Sequence, residues 1–147
     1  MGRQAIVLML KGEGGALTEE LGSYDVAAHG ELITQAYAVQ GAGGTRVRLA
    51  LSTGRDVEDW EYDAICDYYD TEIYEGLAEI GEIEGAYNPT WEFYMPFNED
   101  AAVMEDAINQ VVGFHAAELA SVLEAIAEHK DEYLIENQDG SERDGDR

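Results

Sequence analysis

Basic side chains are scarce in this chain of 147 residues. Lysine and arginine number 8 against 32 aspartates and glutamates, for a net charge of −24. A field of that sign repels nucleic-acid phosphates and anionic lipid, so direct binding to DNA, RNA or a membrane surface is not expected. It favours cations and basic proteins instead. Cysteine is limited to Cys66, which excludes an internal disulfide framework and fits a reducing, cytoplasmic setting. There is also no run of about 18 apolar residues, so no membrane-spanning helix is expected. The short apolar run at the N-terminus lacks a small-residue cleavage site and reads as a strand rather than a secretory signal.

The charge is unevenly spread. Residues 1–55 hold five bases (Arg3, Lys11, Arg46, Arg48, Arg55) and five acids, so residues 56–147 carry the whole excess. Apolar residues make up 46% of the chain, enough for a core in one domain of this length. That domain is expected to span residues 1–136. Residues 137–147 have no apolar anchor and read as a disordered acidic tail.

Elements follow from periodicity. Residues 4–10 are continuously apolar and predict a central strand covered on both faces. Residues 18–29 are ambiguous, with Leu17, Leu21 and Tyr24 compatible with a short helix that Gly22-Ser23 interrupts. Residues 33–40 and 45–53 alternate and flank Gly41-Ala-Gly-Gly44, which predicts a β-hairpin. That glycine cluster is not a phosphate loop. No Gly-Lys-Ser/Thr is present, and a strand rather than a helix follows. No cofactor is implied anywhere in the chain.

Residues 72–86 predict one or two short strands, and 87–90 a turn at Asn88-Pro89. Trp91, Phe93, Met95 and Phe97 alternate along a further strand that Pro96 places at an edge or ends. Asn98 is the expected cap of a long last helix running to about residue 131. Its stripe is Met104, Ile108, Val111, His115, Leu119, Val122 and Ile126. Gly113 inside that helix suggests close approach of a neighbouring backbone. The sum is an α+β domain with an antiparallel-rich sheet of about four or five strands. The long C-terminal helix and a shorter central helix pack on it.

That central helix, expected over residues 56–70, holds one tryptophan, three tyrosines, Cys66 and seven carboxylates. On a wheel at 100° per residue, Val57, Trp60, Ala64, Ile65 and Tyr68 share an arc that Tyr62, Cys66 and Tyr69 continue. Asp59, Asp63, Asp67 and Asp70 form an acidic ridge on the remainder. Like charges one turn apart repel by a few tenths of a kcal/mol per pair, about the size of a surface ion pair. Asp67 and Asp70 also oppose the helix dipole.

Glu61 falls inside the apolar arc, where a carboxylate must be paired or neutral. Arg46, Arg48 and Arg55 are its candidate partners. Cys66 lacks a neighbouring base and reads as a packing residue, and His115 as a satisfied core histidine. No EF-hand spacing or metal-ligand set is present.

Three functional readings follow. The first is an acidic protein-interaction domain without catalytic activity, offering the ridge to a basic partner. The second is a divalent-cation-dependent enzyme or sensor using the same ridge. The third is a salt-adapted protein whose charge serves solubility only. Nothing in the sequence sets the oligomeric state.

Overall fold

A computed structural model describes residues 4–134. Its sheet starts at the apolar run, now strand β1 (Gln4–Lys11). Ile6 and Leu8 are buried, but Val7 between them is 47% exposed. β1 is therefore covered on one face only, not on both. An antiparallel-rich sheet can leave one face to water, and this one does.

The segment at 18–29 is not a helix. It forms β2 (Leu17–Val26), antiparallel to β1, with irregular register at Leu8/Met9 and Leu10/Lys11. These bulges break the two-residue period that would mark a strand. Tyr24 and Val26 nevertheless point into the core.

The hairpin is present as β3 (Ile33–Gly41) and β4 (Gly44–Leu51). Gly41 and Gly44 are paired, leaving a two-residue loop, and Gly44 has φ +117, a conformation that L side chains rarely adopt. Val47, Leu49 and Leu51 are fully buried. On β3 the core side is Ala36 and Ala38, opposite Leu49 and Val47. A register shift between Ile33 and Gln35 also lets Ile33 reach the core.

After helix α1 (Asp59–Tyr68) come β5 (Glu79–Glu82) and β6 (Trp91–Pro96). Six strands run in the order β2-β1-β3-β4-β6-β5, with β1 and β3 parallel and the other pairs antiparallel. β6 is thus interior, and β5 is the edge. β5 begins opposite Tyr94, so the missing N–H of Pro96 falls beyond its end.

Helix α2 (Ala101–Ala127) lies with α1 on the covered face. Its cap is Asp100, whose carboxylate accepts the N–H groups of Ala102 and Val103, and not Asn98. Asn98 instead accepts from the Asp100 N–H at 2.8 Å, which orients the cap. All seven residues of the expected stripe are buried. By length and hydropathy α2 could cross a membrane, but here that stripe fills the core and acids line its outer side.

Gly113 faces open space with nothing near the position of a Cβ, so no neighbour requires it. α2 also closes part of the β2 edge. Glu105 accepts the Asp25 N–H, and the Asn109 amide bonds the Ala27 N–H and the Asp25 carbonyl, each at 2.8 Å. The result is a single-domain α+β fold of two layers. The domain end at 136 and the tail 137–147 lie outside the described residues.

Candidate functional site

α1 is shorter than the wheel assumed. Asp56 does not cap it, because its carboxylate accepts from the Asn88 amide at 3.1 Å. Asn88 in turn accepts the Val57 N–H, which ties the helix entrance to the turn before β6. Glu58 is the capping residue, and Glu61 reaches back to its N–H at 2.9 Å, the carboxylate half of a capping box. Glu61 also pairs with Arg55 at 3.0 Å, and only 15% of its side chain is exposed.

The Arg55 hydrogen bond, assisted by the Glu58 N–H, holds the Glu61 carboxyl below its ordinary range against the opposing effect of burial. An ionised carboxylate with both oxygens engaged is an anchor for the helix start. Arg46 and Arg48 pair elsewhere, with Glu79 at 3.1 Å and Glu92 at 2.9 Å.

The ridge residues Asp59, Asp63, Asp67 and Asp70 are all exposed, and among the described residues none is in an ion pair. They do not act alike. Asp67 accepts from the Tyr133 hydroxyl at 2.9 Å. Asp70 caps the turn at Thr71–Tyr74 by accepting the Glu72 N–H. These bonds account for two acids at the unfavourable end of the helix dipole. Asp59 and Asp63 have no such role. Partial burial, then Asp67 and Asp59, raise the Asp63 carboxyl above its ordinary value. Among the described residues no three His, Cys, Asp or Glu side chains are grouped to hold a metal ion.

The wheel also fails at the helix end. Tyr68, placed on the apolar arc, is 40% exposed, while Tyr69 is buried. The chain leaves helical geometry at Tyr69, with ψ near 127°, and this swings its ring into the core. There it stacks on Trp91 with centroids 4.1 Å apart. Its hydroxyl lies 2.8 Å from His115 Nδ1 and 2.6 Å from the Tyr74 hydroxyl. His115 Nε2 lies 2.7 Å from the Ser52 carbonyl.

A carbonyl only accepts, so Nε2 carries the proton and Nδ1 accepts from Tyr69. Tyr69 must then accept from Tyr74. One direction of donation runs through the chain, and every member is matched. Burial drives the His115 pKa down to about 4 and the Tyr74 hydroxyl up to about 12, and raises Tyr69 further. This network was missed from sequence, where each residue stood alone. Two lone polar groups, each on the buried arc of a different helix, were the available signal.

Burial and Glu82 push the Cys66 thiol up to about 12, which leaves it protonated and a poor nucleophile. His115 is sealed, with no exposed surface.

The uncovered sheet face has a different character. Tyr37, Arg48, Tyr94 and Glu79 are direct cross-strand neighbours in one row. The Arg46 guanidinium lies 4.3 Å from the Tyr94 ring centroid, and Arg48 lies 5.2 Å and Lys11 4.6 Å from that of Tyr37. A shallow hollow of about 270 Å³ opens beside Arg46, Leu77, Tyr94 and Pro96.

No curated protein matches the chain, and no solved structure does. A family profile described as a family of unknown function, DUF6762, matches residues 1–134. The chain belongs to that family.

Proposed function

We propose that this chain is a non-catalytic protein-interaction domain that offers the acidic ridge of α1 to a basic protein surface. One observation carries the reading: Asp59 and Asp63 stand one turn apart, exposed and without an ion pair among the described residues. Partial burial, then the neighbouring Asp67 and Asp59, raises the cost of ionising Asp63. A basic partner would relieve it. The groups with the greatest chemical potential, Cys66 and His115, are a protonated thiol and a sealed imidazole. A cytoplasmic setting fits the one free thiol.

The test is binding of a panel of lysine- and arginine-rich peptides at low ionic strength. Asp59→Asn/Asp63→Asn should lose affinity at least fivefold, and wild-type binding should weaken steeply with salt. The control is Glu124→Gln/Glu128→Gln, on α2 and at its C-terminal cap, which removes the same charge elsewhere. Equal loss in both variants would reduce the ridge to bulk charge and favour solubility as its only role.

A further inference from the structure

We propose that the outer edge of β5 receives an extended, lysine- or arginine-rich segment of a partner protein as an added strand. The pairing rests on the reading of the α1 ridge as a surface for a basic protein, and it adds the form that protein takes.

The backbone supplies the site. The Ile83 N–H donates to the Thr90 carbonyl at 2.9 Å, one step beyond the Glu82–Trp91 pair. Bonded and unbonded pairs alternate along an antiparallel ladder. Glu79 and Gly81 therefore also bond to β6, and Ile80 and Glu82 turn their N–H and C=O groups away from it. Among the described residues no hydrogen-bond partner meets those four groups. The other edge of the sheet is treated differently. There Glu105 and Asn109 of α2 take outward backbone groups of Asp25 and Ala27. A free edge recognises one main-chain form, the extended strand.

Charge selects which strand. Residues 58–84 hold 11 carboxylates and no base. Glu79 is already paired with Arg46 on the open face. Glu82 lies opposite the buried Trp91, so it points to the helical side of the sheet. There Glu82, Asp63 and Asp67 all act on the Cys66 thiol, and Glu82 and Asp63 act on the Tyr62 hydroxyl. The edge strand and the ridge thus form one acidic margin. A second copy of this chain would bring the same acids to the same edge and be repelled. A strand with bases at every second position sets them all on the helical side, beside Glu82, Asp63 and Asp67.

The probe is an acetylated heptapeptide alternating lysine and valine, titrated into the full chain at low ionic strength. Its control is the same peptide N-methylated at every residue, which keeps the charge but has no N–H to donate. The control should bind about tenfold more weakly or worse. In amide exchange followed by NMR, the plain peptide should protect the Ile80 and Glu82 N–H groups. The Gly81 and Ile83 groups, already bonded to β6, should change little. Glu82→Gln removes the charge alone and should weaken binding a few-fold. Glu82→Pro also removes the outward N–H, which an edge strand tolerates, and should weaken it further.

Should Glu82→Pro fail to fold, the exchange data on wild type decide. Equal affinity for the two peptides, or no added protection of Ile80 and Glu82 in the bound state, would overturn strand pairing and leave the ridge reading standing. A folded Glu82→Pro that binds as well as Glu82→Gln would do the same. Failure of the plain peptide to bind at all would overturn both.

Discussion

The two faces of the sheet handle polar groups in opposite ways. On the covered face, Tyr74, Tyr69, His115 and the Ser52 carbonyl form one line of hydrogen bonds inside a shell of Trp91, Phe93 and aliphatic side chains. On the open face, Arg46 and Arg48 are charged, paired with carboxylates and laid over tyrosine rings. The buried line is fully matched, and losing any member leaves another unsatisfied. The open pairs are partly wet, and water can replace a lost partner. The same residue types thus carry very different energetic weight by location.

Deleting members on each side should expose this contrast. His115→Ala removes the ring and orphans the Tyr69 hydroxyl and the Ser52 carbonyl. It should cost about 3–5 kcal/mol in urea unfolding. Arg48→Ala removes a guanidinium that is mostly covered and bonded to Glu92 and Gln35, and about 1–2 kcal/mol is expected. Arg46→Ala, on the same face but 41% exposed, should fall between about 0 and 1 kcal/mol. Equal costs for Arg46 and Arg48 would break the gradation from sealed to wet.

Glu61→Gln keeps an acceptor for the Glu58 N–H but loses the Arg55 ion pair, for about 1 kcal/mol. The smallest change should have the opposite sign. Gly113→Ala fills open space on the outer side of α2 and should stabilise by about 0.5–1 kcal/mol in the same assay.

The sequence was most legible where one period ran undisturbed. The β3–β4 hairpin, β6 and the α2 stripe follow directly from alternation and from the helical repeat. β2 was not legible, because two register shifts against β1 and the Gly22-Ser23 pair hide its alternation. The start of α1 was misplaced because Asp56 is engaged by Asn88, 32 residues away, and no local rule reports that contact. Gly113 was assigned a close neighbour on propensity alone, and the site is open.

The acidic ridge could be drawn on a wheel, but the separate tasks of Asp67 and Asp70 depend on Tyr133 and on the next turn. The histidine–tyrosine line joins residues 46 positions apart, so only packing could assemble it.

The central claim is that the buried histidine–tyrosine line is structural, a closed set of hydrogen bonds shut away from water. The pH response of His115 tests that claim. In the unfolded chain its pKa is near 6.5, and in the fold burial lowers it to about 4. Above about pH 6.5 the imidazole is neutral in both states and its contribution is complete. As pH falls from about 6.5 to about 4 only the unfolded state gains the proton, so stability is lost across that window.

The most direct measurement is an NMR titration of the imidazole nitrogens in the folded protein. The account predicts that His115 stays neutral, with its proton on Nε2, down to about pH 4. Titration of His115 near pH 6.5, or a proton resident on Nδ1, would contradict it. The first result would show a histidine open to water, and the second would leave Nε2 and the Ser52 carbonyl as two facing acceptors and break the line of donation.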